Sequence, residues 1–161
     1  MTVERVNRTG CCDPFDPAPF QDKTIEWQDK LFIKDRVKSL FHIPLNFGAV
    51  VVKNVKLIEK AEAKPEYQLM LVDEKSLWGA DLYINVGKEV EGAKMERMTG
   101  KFFTRVYEGP FSKMGEWIKD FNDYCAKNNM KPKRLFFSYT TCPKCAKAYG
   151  KNYVVIFGKL Q

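Results

Sequence analysis

The clearest pattern in this chain is a helical repeat of hydrophobic residues in its C-terminal half. Apolar side chains recur at i, i+3, i+4, i+7 and i+11, at Met114, Trp117, Ile118, Phe121 and Cys125. That spacing places them on one face of a helix. A strand-like run over residues 102–108 precedes a Gly109-Pro110 break, and two further strand-like runs, residues 135–141 and 153–160, follow the helix. The pattern predicts the order strand, helix, strand, strand.

The same order of elements is predicted once more, earlier in the chain. Pro44-Leu45-Asn46 corresponds to Pro110-Phe111-Ser112, which makes Asn46 the expected N-cap of a helix. The apolar face of that helix should consist of Val51, Val55 and Ile58. The helix should end at Lys64-Pro65, before strands over residues 67–72 and 81–86. The agreement between the two halves indicates a tandem duplication.

These repeats predict an α+β fold with antiparallel sheets, in which two pseudo-symmetric strand-helix-strand-strand halves form a single domain with a central cleft. Repeat one covers about residues 36–87 and repeat two about residues 100–160, within a domain of residues 31–161. Residues 1–30 lie outside both repeats. Their prolines and aromatic residues predict an extended segment that packs on the core.

Alternation within the last strand of each repeat predicts which surfaces are covered. In repeat one, three apolar residues should pack on the helix layer: Leu82, Ile84 and Val86. The opposite face then carries Asp81, Tyr83 and Asn85. In repeat two both faces of residues 153–158 are apolar, which is typical of a strand that is covered on both sides. Because aromatic residues make up 14% of the chain, we expect the inner faces to enclose an aromatic cleft with a few acids.

Length and composition indicate one globular protein. The chain has 161 residues, of which 45% are hydrophobic and 29% charged, and a chain of this length can bury a core of its own. No run approaches the ~18 apolar residues that span a bilayer. Residues 1–10 also lack the apolar region of a secretory signal. We therefore expect a cytoplasmic protein with no membrane association.

The net charge of +7 permits binding to nucleic acid. However, the lysines are interleaved with acids, as in residues 53–64 and 144–151, which is typical of a solvated surface. The sequence contains no helix-turn-helix, no RNP-like aromatic signature and no Arg-rich arm. Nucleic acid is thus not the expected partner, and both a monomer and a dimer remain open.

Four of the five cysteines form two close pairs. Cys142 and Cys145 have the two-residue spacing that lets both thiolates reach one Zn²⁺ from a turn between strands. Cys11 or Cys12 could complete a structural zinc site with them. Plain reduced thiols explain the pairs as well, and a redox dithiol would need a helix N-terminus, whereas strands are predicted here. Cys125 belongs to the helix core.

Candidate catalytic residues are few. The single histidine, His42, lies at the strand-to-helix turn of repeat one and has no triad partner nearby in sequence. A carboxylate in the aromatic cleft is the best candidate acid or base, and the two candidates are Glu108 and Asp81. The aromatic residues expected to bind a ligand there are Trp78, Tyr83, Tyr107, Phe137, Tyr139 and Tyr153.

The duplicated pattern, with Tyr107-Glu108-Gly109-Pro110-Phe111 opening the second helix, resembles the GyrI-like small-molecule-binding domains. The Cys-Cys-Asp-Pro-Phe-Asp-Pro and Cys-Pro-Lys-Cys features are similar to those of a subgroup often labelled hydrolase. The resemblance implies a central cleft for bulky, aromatic, often cationic compounds, or hydrolysis of reactive toxins in that cleft. Members commonly carry a pocket glutamate near the start of the final strand. Residues 152–158 contain no acid, so Asp81 or Glu108 would have to supply the charge.

The expected function is therefore binding or sequestration of bulky aromatic small molecules, cationic ones included, in a cleft between the repeats. Hydrolysis of reactive small-molecule toxins in the same cleft is the alternative, and weak nucleic-acid binding is a third. No cofactor is expected apart from the structural zinc.

Overall fold

A computed structural model describes residues 15–40, 43–44, 46–65, 69–76, 78–140, 150 and 152–160. The chain divides into two compact units. The first unit is Glu26–Gly100, and the second unit comprises Met1–Ile25 and Lys101–Gln161. Both contain helix and antiparallel strand, which confirms the predicted α+β class.

In the first unit, a helix is followed by two strands, and the second of these pairs with the long strand that precedes the helix. The elements are β1 (Lys23–Leu40, in this unit from Glu26), β2 (Ile43–Pro44), α1 (Phe47–Lys60), β3 (Met70–Ser76), β4 (Gly79–Asn85) and the start of β5 (Met95–Glu108). The central strand is β4, antiparallel to β1 on one side and to β3 on the other. The predicted strand over residues 67–72 thus begins and ends later than expected.

The buried face of α1 includes Ile58, as predicted, but Val50 and Asn54 take the places predicted for Val51 and Val55. Its buried residues are Val50, Asn54 and Ile58, while Val51 and Val55 are half-buried at its margins. Asn54 can be buried because its Nδ2 donates hydrogen bonds to Asp35 Oδ2 and to the Val50 carbonyl, both at 2.8 Å. A polar residue therefore occupies a position that hydrophobic periodicity assigns to an apolar one.

Asn46 is the residue before α1, as predicted, but its side chain does not cap the helix. Its Oδ1 instead accepts a 2.7 Å hydrogen bond from the backbone N–H of Lys38 in β1. The same Asn thus ties the helix start to the neighbouring strand.

The second unit repeats this order of elements. It contains β5 from Lys101, α2 (Met114–Lys127), β6 (Arg134–Tyr139) and β7 (Tyr153–Lys159), with β7 central and antiparallel to both β5 and β6. The predicted break is at Gly109, where φ is +143°. The Gly109 N–H donates to the Asn152 carbonyl at 3.0 Å, and Asn152 Nδ2 donates back to the Gly109 carbonyl at 2.8 Å. These bonds fix the turn from β5 into α2.

Both helices end in the same way. Glu62 and Asn129 have positive φ values of 52° and 58°, and the residue after each donates its N–H five residues back. Ala63 bonds to the Ile58 carbonyl at 3.0 Å, and Met130 bonds to the Cys125 carbonyl at 2.8 Å. This is the bonding of a Schellman motif. α2 ends at Lys127, and α1 ends at Lys60, before the predicted Lys64-Pro65. The shared ending supports the duplication, which stays a prediction, as does the cleft.

The core of the second unit lies between α2 and its sheet. Its buried members are Phe103, Trp117, Phe121, Cys125, Phe137, Val154 and Ile156. The predicted helix face is thereby confirmed, with Met114 and Ile118 partly buried against the same cluster. Among the described residues, no helix is long and apolar enough to cross a membrane.

Candidate functional site

The register of the first unit separates two faces of its sheet. Residues directly opposite on antiparallel strands point to the same side. Asp35 contacts Asn54 of α1 and is opposite Leu82, so Leu82 and its alternate neighbour Ile84 face the helix, as predicted. The side chains of Asp81 and Tyr83 therefore point to the face away from α1.

On that opposite face, a row of three charged residues crosses three strands. Asp81 of β4 is opposite Arg36 of β1 on one side and opposite Asp73 of β3 on the other. Asp73 is only 6% exposed, and the Asp81 side chain is 13% exposed. Two carboxylates directly opposite repel each other and destabilise a sheet. Positive charges beside them are therefore needed.

Two basic residues of β1, Arg36 and Lys34, neighbour this carboxylate pair: Arg36 is opposite Asp81 in the strand register, and Lys34 lies near its carboxylate. The Arg36 guanidinium lies over Gly79, where a Cβ atom would come within 3.0 Å of Arg36 Nη2. The absence of a side chain at Gly79 thus leaves room for Arg36 beside Asp81. Lys34 Nζ is 4.0 Å from Asp81 Oδ2 and 3.3 Å from Glu96 Oε2.

Lys34 also covers an aromatic ring. Its Nζ lies 5.6 Å from the centroid of Tyr83, the residue directly opposite it on β4. Tyr83 is fully buried, with Phe32 packed edge-on against it at 6.3 Å. Burial alone would lower the pKa of the Lys34 ammonium, but the hydrogen bond to Glu96 and the charges of Glu96 and Asp81 outweigh it and raise that pKa. Lys34 is therefore positively charged at neutral pH.

We call the set Lys34, Arg36, Asp73, Asp81 and Glu96 the polar cluster. Carboxylates can accept hydrogen bonds or a proton from a ligand, and the cations can stabilise negative charge. The cluster borders a buried aromatic ring, so the same face combines polar and aromatic contacts. Such combinations are typical of small-molecule sites.

Two of the predicted site residues, Asp81 and Tyr83, belong to this face. A third, Trp78, lies in the turn between β3 and β4 and is 59% exposed. Because Tyr83 is fully buried and Lys34 lies over it, Tyr83 does not present an open ring to solvent.

Three predicted ligand residues face the helix of the second unit instead. Phe137 is part of the core against α2, and Tyr107 and Tyr139 pack on it. The Tyr107 ring stacks on Trp117 at 5.7 Å, and its hydroxyl donates a 2.6 Å hydrogen bond to Asp120 Oδ2. Burial and then this bond raise the pKa of Tyr107. Tyr107 is thus engaged with α2 of its own unit, and the expectation that Tyr107 and Tyr83 line one site stays a prediction.

The remaining two predicted residues, Glu108 and Tyr153, are opposite each other on the face of the second unit that points away from α2. Glu108 is exposed at the end of β5. The Tyr153 ring lies 5.6 Å from Phe15, and Phe15 in turn stacks on Phe20 at 5.9 Å.

The N-terminal segment packs on this second face. Phe20 contacts Phe157 edge-on at 5.7 Å, and the buried hydroxyl of Thr104 donates to the Phe20 carbonyl at 2.8 Å. Aromatic surface that was predicted to bind a ligand thus contacts the protein's own chain.

The predicted metal ligands, Cys11, Cys12, Cys142 and Cys145, and also His42, lie outside the described residues. Within the part of the chain that the structure describes, no group of three metal-ligating side chains occurs.

Sequence reasoning missed four members of the polar cluster: Lys34, Arg36, Asp73 and Glu96. Alternation in β1 was the available signal, since Phe32, Lys34 and Arg36 alternate with Ile33, Asp35 and Val37. Asp73 was missed because the predicted strand ended one residue before it.

Comparison with known proteins places this chain in a family. Among solved structures, the C-terminal domain of EcmrR resembles it with a TM-score of 0.58 and 13% identity, over 88% of this chain and 98% of that one. No curated protein matches the sequence significantly. Both the fold and the family match are consistent with a GyrI-like domain. The family described as bacterial hydrolase matches residues 2–160, nearly the whole chain, and the protein therefore belongs to that family.

Proposed function

We propose that this protein binds bulky aromatic small molecules on the face of the first unit that carries the polar cluster. One observation carries the proposal: Asp73 and Asp81 are directly opposite and almost withdrawn from solvent, 6% and 13% exposed, beside the aromatic ring of Tyr83. Burying two carboxylates side by side is costly unless they are paired or hydrogen-bonded. Polar groups that converge beside an aromatic residue are the kind of arrangement that small-molecule sites use.

The family and the fold support small-molecule binding in general. The polar cluster adds the chemistry, because a carboxylate pair accepts hydrogen bonds from amines or hydroxyls on an aromatic ligand. Hydrogen bonds to charged groups contribute about 1.5 to 3 kcal/mol. An aromatic ligand adds apolar contact with the methylene groups of Lys34.

Fluorescence titration with phenylnaphthylamine, a neutral aromatic probe with one N–H donor, tests the proposal. Replacing Asp81 by asparagine should weaken binding by about 1.5 to 3 kcal/mol, the range for losing a charged acceptor. The matched control is Asp123→Asn, because Asp123 is an exposed acid on α2 in the second unit. Equal affinity of both variants and the wild type would place the probe elsewhere. Absence of probe binding to the wild type would contradict the proposal.

Hydrolysis on the same face is the second candidate, and the family description, bacterial hydrolase, favours it. In this mechanism one carboxylate of the Asp73–Asp81 pair accepts a proton from water as the water oxygen bonds to the carbonyl carbon of an ester or to a ring carbon of an epoxide. The carbon–oxygen bond to the ester's alcohol group, or the ring carbon–oxygen bond of the epoxide, then breaks, and the released oxygen takes up the proton held by the carboxylate. The positive charge of Lys34 or Arg36 stabilises the negative charge that develops on the substrate. General-base catalysis of this kind contributes about 100- to 10,000-fold in rate.

Turnover of an activated aromatic ester or an aromatic epoxide distinguishes hydrolysis from binding. We expect Asp81→Asn and Asp73→Asn to lose turnover while Asp123→Asn retains it. If Glu108→Gln alone abolishes turnover, the reacting carboxylate lies in the second unit. If the wild type binds the substrate and releases no product, binding is the function.

A further inference from the structure

Lys34 lies where an external cation would be expected to bind. Its Nζ is 5.6 Å from the centroid of Tyr83, 3.3 Å from Glu96 Oε2 and 4.0 Å from Asp81 Oδ2. A positive charge over an aromatic ring, with carboxylates beside it, is how proteins recognise ammonium ligands. In this protein the positive charge belongs to the chain itself.

Several contacts hold Lys34 in this place. Its backbone N–H donates a 2.8 Å hydrogen bond to the Lys94 carbonyl, which brings the start of β5 and hence Glu96 alongside β1. The register puts Lys34 directly opposite Tyr83. The side chain is only 22% exposed, whereas Lys38 of the same strand and the same face is exposed. Lys34 thus differs from an ordinary surface lysine.

We infer that the Lys34 ammonium is an internal counter-cation that excludes cationic ligands from the Tyr83 ring, so that the face prefers neutral aromatic ligands. The inference rests on the proposed function, because it assigns a charge preference to the same face. A cationic ligand would have to displace Lys34 from two carboxylates and a ring. A neutral aromatic ligand can instead pack on the methylene groups of Lys34 without displacing its charge.

The consequence is a specificity switch in one side chain. Removing the ammonium takes one positive charge away from Asp81, Glu96 and the ring of Tyr83. The combination of carboxylates and an aromatic ring attracts organic cations. The wild-type preference for neutral over cationic aromatic ligands should therefore reverse when residue 34 carries no charge.

The test is a pair of titrations, with ethidium as the cationic probe and phenylnaphthylamine as the neutral probe. Lys34→Met should raise the affinity for ethidium relative to the neutral probe by about tenfold, as expected for a cation–π contact freed for the ligand. Lys34→Arg keeps the charge and should keep the wild-type ratio. Lys38→Met removes the same net charge from the same strand and should also keep it.

Thermal unfolding first verifies that each variant is folded, and Lys34→Gln replaces Lys34→Met if the methionine variant is not. An unchanged ratio of affinities in the folded neutral variant, with the neutral probe still bound by the wild type, overturns the inference and leaves the proposed function standing. An equal rise in ethidium affinity in Lys38→Met also overturns it, since net charge alone would then explain the effect. If no variant and no wild-type protein binds the neutral probe, both the inference and the proposed function fail.

Discussion

Replacing Gly158 by alanine should destabilise the second unit, because this glycine lies directly beneath the ring of Phe121. A Cβ atom at position 158 would come within 2.9 Å of two ring atoms, Cε1 and Cζ, and within 3.1 Å of Pro132 Cβ. Phe121 is fully buried in the α2 core. The ring therefore has little room to move away from an added methyl group.

The magnitude follows from two opposing effects. Overpacking a well-packed core typically costs about 1 to 3 kcal/mol. Replacing a strand glycine also recovers up to about 1 kcal/mol of backbone entropy. We therefore expect a net loss of about 1 to 2 kcal/mol in the free energy of unfolding. For a protein of this size, that loss corresponds to a fall in Tm of roughly 2 to 8 °C.

Thermal and urea unfolding, followed by circular dichroism, measure the effect. Gly115→Ala is the matched control, since Gly115 lies in α2 with nothing within 4 Å of the position of its Cβ. The same chemical change should there stabilise the protein by about 0.5 to 1 kcal/mol through helix propensity. The two glycine-to-alanine substitutions should therefore change the free energy of unfolding in opposite directions.

A second substitution separates steric overlap from other causes. Phe121→Leu removes the ring that the new methyl group would meet, so the cost of Gly158→Ala should shrink in that background, as neighbouring sites couple. A Gly158→Ala protein as stable as the wild type would refute the close packing of α2 on β7. If Gly158→Ala lowers the free energy of unfolding equally with phenylalanine and with leucine at position 121, overlap with the Phe121 ring is not the cause of the loss.

Three further predictions address other parts of the chain. Burial and Asp120 raise the pKa of Tyr107 in the folded state. The neutral Tyr107 hydroxyl therefore stabilises the fold fully below the unfolded pKa of about 10, and this stabilisation is lost as the pH rises above that value. From pH 9 to 11 the wild type should lose more stability in urea unfolding than Tyr107→Phe, and parallel losses would contradict this. Cys142 and Cys145, with Cys11 or Cys12, should hold about one zinc per chain. In Cys142→Ser, metal analysis should show less zinc and thermal unfolding a lower Tm. A metal-free wild type would exclude the site. Binding to generic duplex DNA should be absent at low salt, and a steep salt dependence of binding would instead favour the nucleic-acid function.

Local periodicity in the sequence was sufficient to predict where the helix, the strand and the break of the second unit lie. The spacing of Trp117, Phe121 and Cys125 predicted α2 and its buried face, because a helix with one apolar stripe must bury that stripe. Gly109-Pro110 predicted the break before α2, since only a residue without a Cβ adopts that positive φ easily. The two faces of β7 were likewise predicted from alternation. All three are properties of neighbouring residues along the chain.

The candidate site depended on contacts between residues that are distant in sequence. Alternation shows that a strand has two faces but not which face meets the helix, so it did not show that Tyr107 packs on Trp117 of α2. The pairing of Asp73 with Asp81 depends on the register between β3 and β4, and the buried position of Asn54 depends on its bond to Asp35. The cation over Tyr83 is Lys34, which lies far from Tyr83 in sequence and reaches it only because β1 and β4 pair in one register. Strand register, and the choice of which strand face meets the helix, are fixed by the packing of the whole unit, so only the tertiary structure decides them.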